Sequence, residues 1–242
     1  MQLKGKNVLI TGAAVRVGRA MAKAVAAAGA VTLIHYSTSI SEAKSLQSEL
    51  AEANRQTHLL QADLSKPDAV NAVIDRALEF GPLFGLVNSA AIFEDRTLAN
   101  TNMDSWRRHL DINLTAPFLL SQAFWSACKK TGAEGRIVNI LDWRALHPGP
   151  DHLPYTISKA ALAALTQSLA AAMAPQITVN GIAFGAILPP KNNDDISGII
   201  KKVPAGRWAT LQEVGETLIF LLAGPSFITG EIIYMDGGRH LV

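Results

Sequence analysis

The chain has 242 residues, 49% hydrophobic and 17% charged, which excludes a disordered polymer and allows one sizeable core. Lys and Arg number 22 against 20 Asp and Glu, a net charge of +2, and the longest basic runs are pairs such as Lys129-Lys130 and Lys201-Lys202. Such pairs read as solvated surface, not as a face for a nucleic-acid backbone. The single cysteine, Cys128, cannot close an internal disulfide, and no run of ~18 apolar residues or signal-peptide order is seen. A soluble, cytoplasmic protein with no membrane or nucleic-acid partner is expected.

Asn7–Thr11 reads as the first strand. A helix over Gly18–Ala28 follows, with Gly29 as its C-cap candidate. Next come a strand at Val31–Tyr36, a helix at Ser41–Ala53 and a strand at His58–Ala62. Pro67 opens a helix over Pro67–Glu79, and a strand follows at Leu83–Asn88. One long helix is expected over Met103–Lys130, then a strand at Arg136–Leu141. Tyr155–Met173 forms an Ala-rich helix stopped by Pro175. Ile177–Ile182, the helix Leu211–Leu222 and Glu231–Met235 complete the alternation. This βαβ rhythm predicts a single α/β domain over residues 1–242, a doubly wound, Rossmann-type parallel sheet with helices on both faces. The segment 189–204, rich in Pro, Asn, Asp and Lys, breaks the rhythm after a strand end and reads as a substrate loop.

Residues 11–18, Thr-Gly-Ala-Ala-Val-Arg-Val-Gly, join the first strand to the first helix. That is the setting of a dinucleotide phosphate loop. Gly12 allows the tight turn, Gly18 allows close helix–strand packing, and the helix start offers free N–H groups to a pyrophosphate. Arg16 stands where a further glycine is usual, and its guanidinium can meet phosphate or a polar ring. The second strand ends His35-Tyr36-Ser37-Thr38-Ser39, with no carboxylate until Glu42. A carboxylate there would bind a ribose 2′-hydroxyl and repel a 2′-phosphate, so its absence points to NADPH. Asp63, followed by Leu64, either accepts from an adenine amino group or caps the next helix.

Tyr155 and Lys159 lie four residues apart on one helix face. A nearby ammonium lowers a phenol's pKa from about 10 and readies it for proton transfer. His147 and His152 flank a Pro-Gly-Pro turn without a third ligand pattern, so no metal is expected.

With these pieces in place the chain resembles a short-chain dehydrogenase/reductase over nearly its whole length. The resemblance rests on Thr11-Gly12…Gly18, Asp63, Asn88-Ser89-Ala90, Asn113, Tyr155…Lys159, Asn180-Gly181-Ile182-Ala183 with Gly185, and Asp236-Gly237-Gly238. It implies a seven-stranded sheet and a homotetramer. It also implies that Thr11, Gly12, Arg16, Val17, Gly18, His35, Tyr36, Ser37, Asp63, Leu64, Asn88, Ala90, Tyr155, Lys159, Gly185 and Ile187 hold the cofactor. Asn113 would hold a water in the proton relay. The chain departs from the family at Ser89-Ala90-Ala91 and at Phe184.

The larger departure is the catalytic serine. The family places it thirteen residues before the Tyr, and that position is Asp142. With Arg16, the His35-Tyr36 pair and Phe93, it resembles the pteridine reductase branch. There the Phe stacks on a pterin that lies against the nicotinamide, and offset stacking favours a flat ring. That branch often carries a basic residue where this chain has Ser37. The expected activity is NADPH-dependent reduction of pterins or dihydropterins (dihydrobiopterin, dihydromonapterin or dihydrofolate type). Substrate contacts are expected from Arg16, Phe93, Asp142 and Tyr155, and catalysis from Asp142, Tyr155, Lys159 and Asn113. The alternatives are a 3-oxoacyl thioester reductase, or a non-catalytic dinucleotide-binding protein on the same fold.

Overall fold

The computed structural model describes residues 2–189 and 197–242. The strands are β1 (Asn7–Ile10), β2 (Val31–Tyr36), β3 (Thr57–Gln61), β4 (Leu83–Asn88), β5 (Gly135–Asp142), β6 (Ile177–Phe184) and β7 (Ile232–Met235). They form one seven-stranded parallel sheet in the order β3-β2-β1-β4-β5-β6-β7. The helices between them are α1 (Arg16–Ala27), α2 (Ile40–Glu52), α3 (Pro67–Leu78), α4 (Met103–Leu110), α5 (Ala116–Thr131), α6 (Leu153–Met173), the single turn α7 (Ser197–Ile200) and α8 (Leu211–Ala223). The chain builds outward from β1 to β3, then returns to β4 on the other side of β1. That reversal opens a crevice at the carboxyl ends of the strands, where open α/β sheets take their ligands.

Alternate residues of each strand serve opposite faces. Val8, Ile10, Ile34, Val87 and Val138 join a core with Met21, Val25, Val214 and Leu218 of α1 and α8. Leu9, Leu33, Leu86 and Ile137 join a second core with Val73, Leu120, Phe124 and Leu169 of α3, α5 and α6. Both faces are therefore covered, as the near-continuous apolar strands require.

The helix ends follow local chemistry. Gly29 takes φ +95° just beyond α1, and Pro67 lies in the first turn of α3. Thr210 and Glu213 close a reciprocal capping box on α8, Thr210 Oγ1 accepting from Glu213 N at 3.1 Å and Glu213 Oε2 from Thr210 N at 2.7 Å.

The structure corrects one element. The expected helix Met103–Lys130 is two helices, α4 and α5, joined by a wider π turn over Asp111–Thr115. Pro117 has no N–H to give the carbonyl four residues earlier, so regular winding fails there. Asn113 sits within this turn and is fully buried. Of the expected substrate loop 189–204, residues 190–196 lie outside the described residues.

Candidate active site

The crevice holds a cleft of about 570 Å³. Its lining includes Gly12, Arg16, Val17, Gly18, His35, Tyr36, Ser37, Asp63, Leu64, Ala90, Asp142, Tyr155 and Lys159. An adjoining cavity of about 680 Å³ shares Arg16, Asp142 and Tyr155 and adds Phe93, Gly185, Ile187, Trp208 and Arg239. The two cavities thus bring most of the expected residues to one place.

The glycine loop is built by close approach. Gly12 takes φ +65°, and a Cβ there would lie 2.9 Å from Ala90 Cα. A Cβ on Gly18 would lie 2.1 Å from the Gly12 carbonyl oxygen. Gly18→Ala must therefore displace the loop backbone, and we expect a loss of about 1–3 kcal/mol of stability together with dinucleotide affinity. Urea unfolding and cofactor titration check this; an unchanged midpoint and affinity would contradict it. Arg16 adopts φ +50°, a left-handed conformation uncommon outside glycine. Its Nη2 donates to the Pro189 carbonyl at 3.2 Å, across the mouth of the cleft.

His35 serves the loop from behind. It is 1% exposed. Its Nδ1 accepts from Gly12 N at 3.2 Å, which leaves Nε2 as donor to the Ala62 carbonyl at 3.2 Å. The ring is therefore neutral, and burial lowers its pKa from 6.5 to about 4. A folded pKa below the unfolded one means the unfolded chain binds the proton first. The stability from His35 is complete above about pH 6.5 and is lost as pH falls toward 4, about 2 kcal/mol of it by pH 5. Urea unfolding of wild type and His35→Gln at about pH 7.5 and 5 should show a smaller pH difference in the variant. Equal differences would remove His35 as the cause.

Other expected cofactor residues also prove to be supports. Thr11 is buried, its Oγ1 accepting from Ser89 N at 2.9 Å and Ala90 N at 3.0 Å, which ties β1 to the turn after β4. Asn88 is buried, donating to Asn139 Oδ1 at 2.8 Å. Neither lines the cleft. Asp63 caps no helix, because the N-cap of α3 is Lys66. Its Oδ1 accepts from Ser65 N at 3.0 Å and Ser65 Oγ at 2.7 Å, which holds the carboxyl below its ordinary range.

At the reacting end, Asp142 closes β5 and Tyr155 lies in the first turn of α6. Tyr155 Oη donates to Asp142 Oδ2 at 3.1 Å. Asp142 Oδ1 accepts from Arg144 N at 2.9 Å, with Arg144 Nη1 at 3.6 Å. Lys159 is buried, its Nζ donating to the Ile140 carbonyl at 2.7 Å. Burial lowers Lys159 to about 8 against the pull of Asp142. The expected acidification of Tyr155 by Lys159 is reversed here. Burial, then the Asp142 carboxylate, raise the Tyr155 pKa well above 10, and Lys159 Nζ stands 5.9 Å from the ring centre. The phenol is held protonated, as a donor.

Asn113 faces neither cavity. Its Nδ2 donates to the Ile92 carbonyl and to Ser158 Oγ, each at 3.0 Å, and its Oδ1 accepts from Ile92 N at 2.9 Å. It locks the turn after β4 to α6 through both N–H groups of its side-chain amide. Phe93 is 54% exposed, stacks on His152 at 4.0 Å and meets Tyr155 edge-on at 4.7 Å. His152 Nδ1 donates to the Glu94 carbonyl at 2.9 Å, so this loop is pinned to the start of α6.

A model of the enoyl-(acyl carrier protein) reductase group matches residues 12–240. The chain belongs to the short-chain dehydrogenase/reductase family. This short-chain oxidoreductase is 34% identical to a 2-dehydro-3-deoxy-D-gluconate 5-dehydrogenase of Bacillus subtilis, over 98% of its own length and 95% of the relative's. It is 33% identical to the 3-oxoacyl-[acyl-carrier-protein] reductase FabG of Salmonella typhimurium, over 100% of both chains. Among solved structures, FolM alternative dihydrofolate reductase 1 from Brucella canis, complexed with NADP, superposes with a TM-score of 0.94 at 32% identity, covering 100% of this chain and 96% of that one. The sequence of this oxidoreductase gave no sign of the site contributions of Trp208 and Arg239. Both are distant in sequence from the catalytic helix, and no local motif marks them.

Proposed function

We propose that the chain is an NADPH-dependent reductase of pterins or dihydropterins. The observation that carries this reading is the Asp142 carboxylate beside the Tyr155 hydroxyl, 3.1 Å away. A carbonyl oxygen needs donors there, whereas a pterin presents amino and ring N–H donors that a carboxylate accepts strongly. The likeness to FolM supports the same reading. The similarity to FabG favours the second reading, reduction of a 3-oxoacyl thioester.

The glycine loop fits a dinucleotide. A Cβ on Gly12 or Gly18 would strike the Ala90 backbone or the Gly12 carbonyl, so glycine keeps this loop tight against the cleft, and Ser37, Thr38 and Ser39 offer hydroxyls in its lining. NADPH, when bound, supplies the hydride to a ring C=N bond. Lys159 would hold the nicotinamide ribose. Asp142 would orient the pterin through its N–H groups, Arg16 would meet another polar edge, and Phe93 would cover the ring. Tyr155 donates the proton that the adjacent ring nitrogen requires. A cytoplasmic location and a homotetramer are part of this reading, the tetramer supported by the small residues along α5 and α6.

Steady-state oxidation of NADPH and NADH with dihydrobiopterin, dihydrofolate and an acetoacetyl thioester tests the proposal. Expected are a higher kcat/KM with NADPH and turnover of a dihydropterin. Turnover of the thioester alone would overturn it in favour of the second reading.

A further inference from the structure

Beyond the substrate cavity lies a further cavity of about 710 Å³, lined by Trp143, Lys201, Lys202, Pro204, Arg239 and Val242. It shares Trp143 and Arg239 with the substrate cavity, so the two are neighbours. Three of its six lining side chains are cationic, and none is acidic. Among the described residues Lys201, Lys202 and Arg239 form no ion pair, whereas Arg144 nearby is matched by Asp151 at 3.1 Å. The Arg239 and Arg144 guanidiniums lie 4.5 Å and 5.0 Å from the Trp143 ring centre. Arg144 Nε is buried without a hydrogen-bond partner. Asp142 and Asp151 offset the repulsion between these two guanidiniums, and with Asp236 they draw on Arg239 from beyond ion-pair distance. Three cationic side chains, none in an ion pair among the described residues, thus stand beside the ring-binding site, where a substrate's charged tail would reach them.

We propose that this annex, formed by Trp143, Lys201, Lys202 and Arg239, is an anion subsite that holds the carboxylate tail of a pterin–glutamate substrate. The inference rests on the pterin reading above and narrows it: a dihydrofolate-type substrate is selected over pterins with short neutral side chains. Arg239 meets a carboxylate with its planar fork of donors, and the two lysines add charge at the mouth. Trp143 gives the tail's aryl spacer an apolar surface.

The test compares kcat/KM for dihydrofolate and dihydrobiopterin in wild type and in the double variant Lys201→Gln/Lys202→Gln, both positions being exposed. Wild type should favour dihydrofolate, and that preference should weaken as salt is raised. The double variant should lose the preference about three- to ten-fold, and Arg239→Gln about ten-fold or more. An unchanged ratio in the double variant and in Arg239→Gln, or no salt dependence, overturns the subsite. If wild type reduces neither dihydropterin, the reaction reading has failed, and calorimetric titration with p-aminobenzoylglutamate judges the annex alone. Salt-sensitive binding that the double variant loses supports an anion subsite; no binding overturns it.

Discussion

Tyr155→Phe should lower turnover by about 10²–10⁴-fold, because it removes the proton donor and leaves the fold intact. Tyr155 is 7% exposed and keeps its edge-on contact with Phe93 through the ring, which phenylalanine preserves. Only the hydroxyl's bond to Asp142 Oδ2 is lost. Cofactor affinity, read by fluorescence titration, should therefore stay within about two-fold, a shift under 1 kcal/mol. A variant with more than a tenth of wild-type turnover would show that another group or water delivers the proton. The raised pKa of Tyr155 sharpens the expectation: the phenol remains protonated across the working pH range, so it acts as a donor without first losing its proton.

The second large effect is expected at Asp142. Asp142→Ser should lower kcat/KM for a dihydropterin by about 10–100-fold, the usual loss for a hydrogen bond to a charged acceptor. Arg144 N would keep a hydroxyl acceptor in place of Oδ1, so the turn after β5 should survive. Removing the carboxylate also removes one of the two causes that raise Tyr155, and its pKa should fall. Lys159, at about 8 and held up by the same carboxylate, titrates before the phenol, so the alkaline limb of the pH–rate profile should move down in pH as Lys159 falls. Full dihydropterin turnover in Asp142→Ser, or an unmoved limb, would deny the carboxylate its role and favour the carbonyl reading. A gain of thioester turnover in the same variant would show what the serine-to-aspartate change selects against.

The strands and most helices were legible because their cause is local. β-branched runs, Gly29 beyond α1 and Pro67 within α3 act on their own neighbourhoods. The break inside Met103–Lys130 was legible too, in Pro117, but apolar spacing continues through it and masks the proline. At the site, Gly12, Gly18, Asp142 and Tyr155 were readable from spacing. The roles of Thr11, Asn88 and His35 were not, because family position does not say whether a polar side chain faces the cleft or braces it from behind. Their hydrogen bonds run between strands distant in sequence. The annex was hidden for the same reason: Lys201-Lys202 read as surface until the fold set Arg239 and Trp143 beside them.

The order β3-β2-β1-β4-β5-β6-β7 also governs how the molecule comes into being. Every strand pair is parallel, so no hairpin can form early and each pairing waits for a full crossover. The central pair waits longest: Asn7 of β1 matches Leu83 of β4, and β2 and β3 with their helices lie between. While a ribosome makes this chain, β1 has apolar residues ready before its inner neighbour exists. In the half-built sheet β3-β2-β1 the β1 edge, later covered by β4, stays open throughout that interval, a surface prone to self-association. Slow assembly follows from the strand order itself.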